Sequence, residues 1–213
     1  MTVADIIYGV LHWAAENWIE LVGAALGAVY TVLSIRQHIL TWPVGLLTSA
    51  FYIVIFFQAK FYANMGLQFY YLGVSIYGWY YWLHGQEATP DSGSSGAASV
   101  SRVPAWMWPP LIAVTVIIFA AIAWLRFHYE ADSGMSVYAL YGDAFTFATG
   151  ITATWMLARK YIENWLLWIV ADTVAVVLFI NQALWPTVGL YTIYTVMAVA
   201  GYFQWRRSLW KQQ

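Results

Sequence analysis

The sequence predicts an all-α integral membrane protein with seven transmembrane helices, set out as three, then one, then three. Three observations point there. Apolar residues make up 62% of the 213 and charged residues only 9%, too few charges for the surface of a soluble domain of this length. Several runs approach or exceed the ~20 apolar residues needed to cross a bilayer. The chain also repeats itself: displaced by 123 residues, Glu20 to His84 meets its own copy with thirteen identities in 65 pairs.

The elements follow in order. In residues 1–18, Ile6, Ile7, Val10, Leu11, Ala14 and Trp18 recur at helical spacing opposite Asp5, His12 and Glu16, which predicts a short amphipathic helix on the membrane surface. A basic start and a small-residue cleavage site are lacking there, so no signal peptide is expected. Crossings over 19–36, 42–58 and 64–83 make a first three-helix bundle, residues 19–84. Residues 85–105, rich in Gly, Ser, Ala and Thr, read as a flexible loop. A linker helix over 106–126 and its loop fill 106–137. Crossings over 138–158, 163–181 and 186–205 make the second bundle, 138–207, with a tail at 208–213.

Orientation comes from the basic residues. Arg36, Arg102, Arg159, Lys160, Arg206, Arg207 and Lys211 gather on one side, Lys60 and Arg126 on the other. The positive-inside rule puts the C-terminus in the cytoplasm and, with seven crossings, the N-terminus outside.

The repeat pairs Gly27 with Gly150, Thr31 with Thr154, Arg36 with Arg159, Trp42 with Trp165, Gly66 with Gly189, Tyr71 with Tyr194, Gly78 with Gly201 and Trp82 with Trp205. Each copy holds three crossings, so a single helix between them lets both copies point the same way. Such parallel repeats are one of the plans used by transporters, with the site between the halves. The halves differ at one place: Gly45 and Ser49 of the first face Trp168 and Asp172 of the second. Small against bulky makes a lopsided cavity, or permits close helix packing. Gly66, Gly73, Gly78, Gly189 and Gly201 are expected at close contacts or hinges.

The stretch from Glu163 to Asp172 concentrates the polar groups. Asn164, Trp168 and Asp172, four apart, share one helical stripe. An acid so placed faces a bundle interior or wet cavity rather than lipid. Indole faces beside hydrogen-bonding groups suit a planar, polar, small molecule. For any single Trp or Tyr an interfacial belt is the competing role.

Other classes fit less well. A retinal protein needs a lysine within the last span, and a haem protein needs histidines within spans. Here every Lys and His is peripheral. No cysteine or nucleotide-binding motif is present, and no cofactor is expected. The net charge of −1 argues against nucleic acid. The enzyme alternative is an intramembrane aspartyl protease using Asp143 and Asp172, although Asp143 pairs with Glu20 under the repeat, as a helix-start acid would.

Glu163-Asn-Trp-Leu-Leu-Trp-Ile169 with Asp172, Tyr77-Gly-Trp-Tyr-Tyr-Trp82, and Gly201-Tyr202 with Trp205-Arg206-Arg207 resemble the bacterial PnuC transporters of nicotinamide riboside. The resemblance runs from about residue 18 to the C-terminal region. It implies a fold similar to the SWEET sugar transporters and a place in the bacterial inner membrane. It also implies facilitated diffusion of the riboside, made one-way by a cytoplasmic kinase. Family relatives carry other vitamins such as thiamine, which is the alternative substrate. A homo-oligomer is compatible with all of this.

On that reading Trp168 stacks on the pyridinium, with Trp165 and Trp42 as further candidates. Asn164 bonds the carboxamide or a hydroxyl, or caps its helix. Gln68 is a ribose or amide partner, and Tyr71 and Tyr194, on stripes that the repeat sets facing each other across the passage, are ligand contacts or structural hydrogen bonders. Asp172 pairs with the cation, bonds a neighbouring helix, or carries a proton. Glu163 completes the set near the headgroups, where a solvated or capping role competes.

Overall fold

The computed structural model describes residues 8, 12, 18–58, 60, 62–85, 98–130 and 137–211. Among the described residues seven α-helices with stated bounds follow in order: α1 Trp18–Ile35, α2 Thr41–Gln58, α3 Tyr62–His84, α4 Trp108–Glu130, α5 Val137–Ala158, α6 Asn164–Asn181 and α7 Trp185–Trp210. A 3-10 turn, Ala105–Met107, leads into α4. These are the seven expected crossings with ends moved by a few residues; α4 and α7 run on furthest. Of the surface helix expected over 1–18, only Tyr8, His12 and Trp18 are among the described residues, and all three are helical; the rest lies outside them.

Even the shortest helices, of 18 residues, extend about 27 Å, close to the hydrocarbon thickness. On length and hydropathy alone three segments qualify as spans: Thr41–Gln58, Ala105–His128 and Asn164–Asn181. The other helices are diluted by Gly, Thr, Tyr and Gln that line the interior, such as Gly27, Thr31, Gln68, Tyr71, Gly150 and Tyr191.

Packing closes a ring. α1 packs on α2, α2 on α3, α3 on α5, α5 on α6, α6 on α7 and α7 back on α1. Among the described α-helices α4 packs on α5 alone and stays outside the ring. The two contacts that join the halves, α1 with α7 and α3 with α5, are counterparts under the repeat.

The displacement of 123 recurs in the backbone. α1 ends at Ile35 and α5 at Ala158; α2 runs Thr41–Gln58 and α6 Asn164–Asn181; α3 starts at Tyr62 and α7 at Trp185. Left-handed turns fall at Gln37 (φ 56°) and Lys160 (φ 54°), and again at Lys60 (φ 61°) and Ala183 (φ 57°). Such a φ crowds any Cβ, so non-glycine residues at four matched places mark a turn geometry kept by both halves. The backbone bonds match too: His38 N–H to the Leu33 carbonyl and Tyr161 N–H to the Met156 carbonyl are both 2.9 Å.

The core joins the halves through four indoles. Trp42 meets Trp82 edge-on at 5.2 Å, Trp82 meets Trp205 at 6.3 Å, and Trp205 meets Trp165 edge-on at 5.6 Å. Edge-to-face pairs of this kind are favourable beyond the area they bury. Seating the outer two needs glycine. A Cβ at Gly201 would stand 2.7 Å from the Trp165 ring, and Gly78 is closed off by Trp42 in the same way. Gly66, Gly73 and Gly189 instead have open space around them, so the close contacts expected there are absent.

One expectation needs correction. Residues 98–104, read as part of a flexible loop, are docked as an extended strap. Ala98 N–H donates to Trp82 O at 3.2 Å, Ser101 N–H to Lys160 O at 3.0 Å, and Ile162 N–H returns to Ser101 O at 3.0 Å. Ala98, Val100 and Val103 are buried. The strap supplies apolar side chains and a partner for exposed backbone groups, and both favour order over the entropy of a free linker.

Candidate functional site

The ring of six helices encloses a chamber of three adjoining lobes, and Trp168 lines all of them. The first, about 200 Å³, lies at the basic end between Ser34 and Leu157, with Tyr30, Trp165, Asp172 and Tyr194 on its wall. The second, about 430 Å³, opens against the first half, where Gly45, Ser49, Gln68, Tyr71 and Ser75 face Trp168 and Tyr191. The third, about 230 Å³, runs along α5 and α6 from Asp143 to Asp172. Along α5 the lining passes from Asp143 through Gly150 and Thr154 to Leu157, about 21 Å at 1.5 Å per residue.

The lopsidedness has a sequence cause. Gly45 and Ser49 leave the roomy second lobe, into which Trp168, the counterpart of Gly45, projects from the other side. Gly45 is also a close approach, since a Cβ there would lie 2.8 Å from Ser75 Oγ and 3.1 Å from the Tyr30 ring. Both roles read from the sequence are therefore met at one residue. On α1, Gly27 admits the Tyr194 hydroxyl, while a Cβ at its counterpart Gly150 on α5 would meet Trp168 only at ordinary contact distance, 3.6 Å. Thr31 and Thr154 donate back to those glycines' carbonyls at 2.9 and 2.8 Å, so neither hydroxyl leaves its donor unused.

The structure divides the candidate residues. Trp168, Gln68, Tyr71, Tyr194, Trp165 and Asp172 all line the chamber. Tyr71 shares its lobes with Tyr191 rather than with Tyr194. Asp172 is 6% exposed, and its carboxyl has no hydrogen-bonding partner among the described residues. Trp165 is 2% exposed with its Nε1 unpartnered.

Three candidates sit elsewhere. Trp42 is fully buried in the core against Gly78 and Trp82. Asn164, also fully buried, donates Nδ2 to Tyr161 O at 2.6 Å. Its counterpart Thr41 makes the matching bond to His38 O at 2.8 Å, so the side chain closes a turn in both halves. Glu163 Oε2 accepts from Val103 N–H at 3.0 Å and ties down the strap. Tyr30, Thr31, Ser34 and Thr154 line the chamber without having been singled out. The repeat identities at Thr31 and Thr154 were the available signal.

The aspartyl dyad does not form. Asp143 pairs with Arg126 and no hydrogen bond joins it to Asp172 among the described residues, whereas such a dyad shares a proton between neighbouring carboxyls.

A ring of membrane-length helices around an aromatic chamber with an acid on its wall defines an integral membrane transporter of small molecules. The chain belongs to the nicotinamide mononucleotide transporter family, which it matches over residues 17–207. It is 27% identical over 206 residues to the nicotinamide riboside transporter PnuC of Escherichia coli (strain K12), covering 90% of this chain and 86% of that one. It is 29% identical over 191 residues to the riboflavin/roseoflavin transporter RibM of Streptomyces davaonensis, covering 88% and 84%. The crystal structure of the vitamin B3 transporter PnuC matches with a TM-score of 0.68 at 20% identity, covering 98% of this chain and 89% of that chain. That likeness is one of fold.

Proposed function

We infer that this transporter carries nicotinamide riboside across the bacterial inner membrane by facilitated diffusion. The two halves, like-oriented and with the C-terminus cytoplasmic, rock to expose the chamber to each side in turn. Phosphorylation by a cytoplasmic kinase then keeps the flux inward. The observation that carries the substrate is the charge of the chamber wall. Among the described residues no Lys or Arg lines any of the three lobes, while Asp172 and Trp168 share two of them. A pyridinium stacks on the indole and its cation meets the acid. A phosphorylated nucleotide would bring an anion to a wall with no cation, so the riboside is favoured over the mononucleotide. Gln68 and Tyr191, counterparts sharing the second lobe, offer hydrogen bonds to ribose or carboxamide.

A second reading is a carrier of another vitamin, thiamine or a flavin, the flavin favoured by the identity to RibM. Neutral riboflavin would leave Asp172 without a partner, which ranks it lower. Calorimetry on the purified protein with nicotinamide riboside, its mononucleotide, thiamine and riboflavin separates these. Binding of the riboside but not the mononucleotide is expected. Binding of riboflavin alone would overturn the assignment.

A further inference from the structure

The third lobe connects two acids of different character. Asp143 on α5 has a side chain 49% exposed and pairs with Arg126 of α4, itself 30% exposed. Asp172 on α6 lines the same lobe, more than nine-tenths buried and unpartnered among the described residues. Tyr71, Phe147, Trp168, Phe179 and Tyr191 give the wall between them its aromatic character, and among the described residues no Lys or Arg lines it. A buried acid without a partner is unfavourable unless a cation comes to it or it takes up a proton. The guanidinium at the outer acid comes from α4, the one helix not needed to enclose the chamber.

We propose that Asp143 is a specificity-determining residue of the transport route, the outer of two carboxylates that draw an organic cation into the chamber. Arg126 is the resident cation that the substrate displaces. This rests on the reading of the chain as a carrier of a cationic nucleoside. The ion pair is partly exposed, and solvent-screened pairs contribute little, so an incoming cation competes with Arg126 for Asp143 and then passes to Asp172 along the aromatic wall. A cleft lined by one sign of charge concentrates the opposite charge and speeds its capture. Neutral and anionic solutes gain nothing from it.

The test is initial uptake of nicotinamide riboside into vesicles containing the full chain, well below half-saturation. Asp143→Asn and Arg126→Gln break the same ion pair, so a structural role predicts equal losses. Here the signs differ. Asp143→Asn should slow uptake at least about fivefold and flatten its dependence on salt. Arg126→Gln should match or exceed the wild type, and Asp143→Glu should restore most of the rate. Riboside binding to solubilised Asp143→Asn should fall less than uptake does and stay within about threefold of wild type, because Asp143 stands at the outer end of the third lobe while Trp168 and Asp172 are unchanged. Parallel losses in both variants, an unchanged Asp143→Asn, or a binding loss equal to the uptake loss would each overturn the proposal. If the wild type takes up no riboside, the assigned substrate fails instead, and the variants are compared on thiamine and riboflavin. Opposite signs on cationic thiamine would sustain the role of Asp143. Uptake of neutral riboflavin alone would end it.

Discussion

Trp82 and Trp205 lie 6.3 Å apart with rings tilted by 60°, and each donates its indole N–H into the other half of the chain. Trp82 reaches the Leu157 carbonyl at 3.3 Å and Trp205 the Ser34 carbonyl at 3.1 Å. Ser34 and Leu157 are counterparts under the repeat, and both line the lobe at the basic end. The floor of the chamber is thus held by a reciprocal pair of bonds between the halves. Any opening at this end must break them.

That gives a first prediction. Trp205→Phe keeps a ring but removes the donor, a net loss of about 1 kcal/mol from the closed arrangement. The chain contains no cysteine, so Ser34→Cys, at a position 1% exposed, is a clean reporter. A maleimide should modify it about fivefold faster when Trp205→Phe is added, the factor equivalent to that energy. Equal rates in the two proteins would show that the indoles do not close this end.

The indoles of α2 and α6 should separate by function. Trp168 lines every lobe, so Trp168→Ala should raise the dissociation constant for nicotinamide riboside at least about tenfold, the scale of a desolvated cation–ring contact. Its melting temperature should change little. Trp42 is fully buried, and Trp42→Ala should destabilise the fold by about 3–5 kcal/mol. Calorimetry and thermal unfolding on both variants decide it. Stability loss at Trp168 with binding intact would move that ring from the site to the core.

Helix order and the repeat are legible in the sequence because both live in composition and spacing. Depth within the bundle is not. Trp165 and Trp168 belong to one motif, yet Trp165 is pressed on Gly201 and Trp205 while Trp168 lines all three lobes. Nothing in their immediate neighbours distinguishes them. Asn164 was decodable: its counterpart Thr41 is also polar and helix-initial, which fits a turn-closing bond better than a ligand contact in only one half. The strap carried a signal as well. From Ala98 to Ser101 apolar and polar residues alternate, the period of extended chain packed on one face. The Gly-Ser composition just before it hid that pattern.

Glycines offer a further check because the structure sorts them by what surrounds them. Gly201→Ala places a methyl 2.7 Å from the Trp165 ring, and overpacking of this kind costs about 1–3 kcal/mol. Gly189 has nothing within reach of an added Cβ. Gly189→Ala should therefore be neutral or stabilising by up to about 1 kcal/mol through helix propensity. Thermal melts of the two variants should move in opposite directions. A large loss at Gly189 would mean that it serves a contact or motion the closed ring does not display.

The last prediction concerns Lys160, counted from the sequence as a peripheral charge on the basic side and 7% exposed in the structure. It closes the left-handed turn between α5 and α6, donates Nζ to Ala98 O at 2.7 Å and lies 4.5 Å over the Trp82 ring. Burial pushes its ammonium from 10.5 down to about 8, while the carbonyl and the ring both favour the charged form. Because the native value lies below the unfolded one, the unfolded chain binds the extra proton between about pH 8 and pH 10.5. Stability contributed by this residue therefore rises with pH across that window and is lowest below it. The wild-type melting temperature, taken relative to Lys160→Met, should climb by about 2–4 °C between pH 7.5 and 9.5, as expected for about 1 kcal/mol in a chain of this size. Identical pH slopes in the two proteins would mean that the ammonium is as well solvated in the strap as in water.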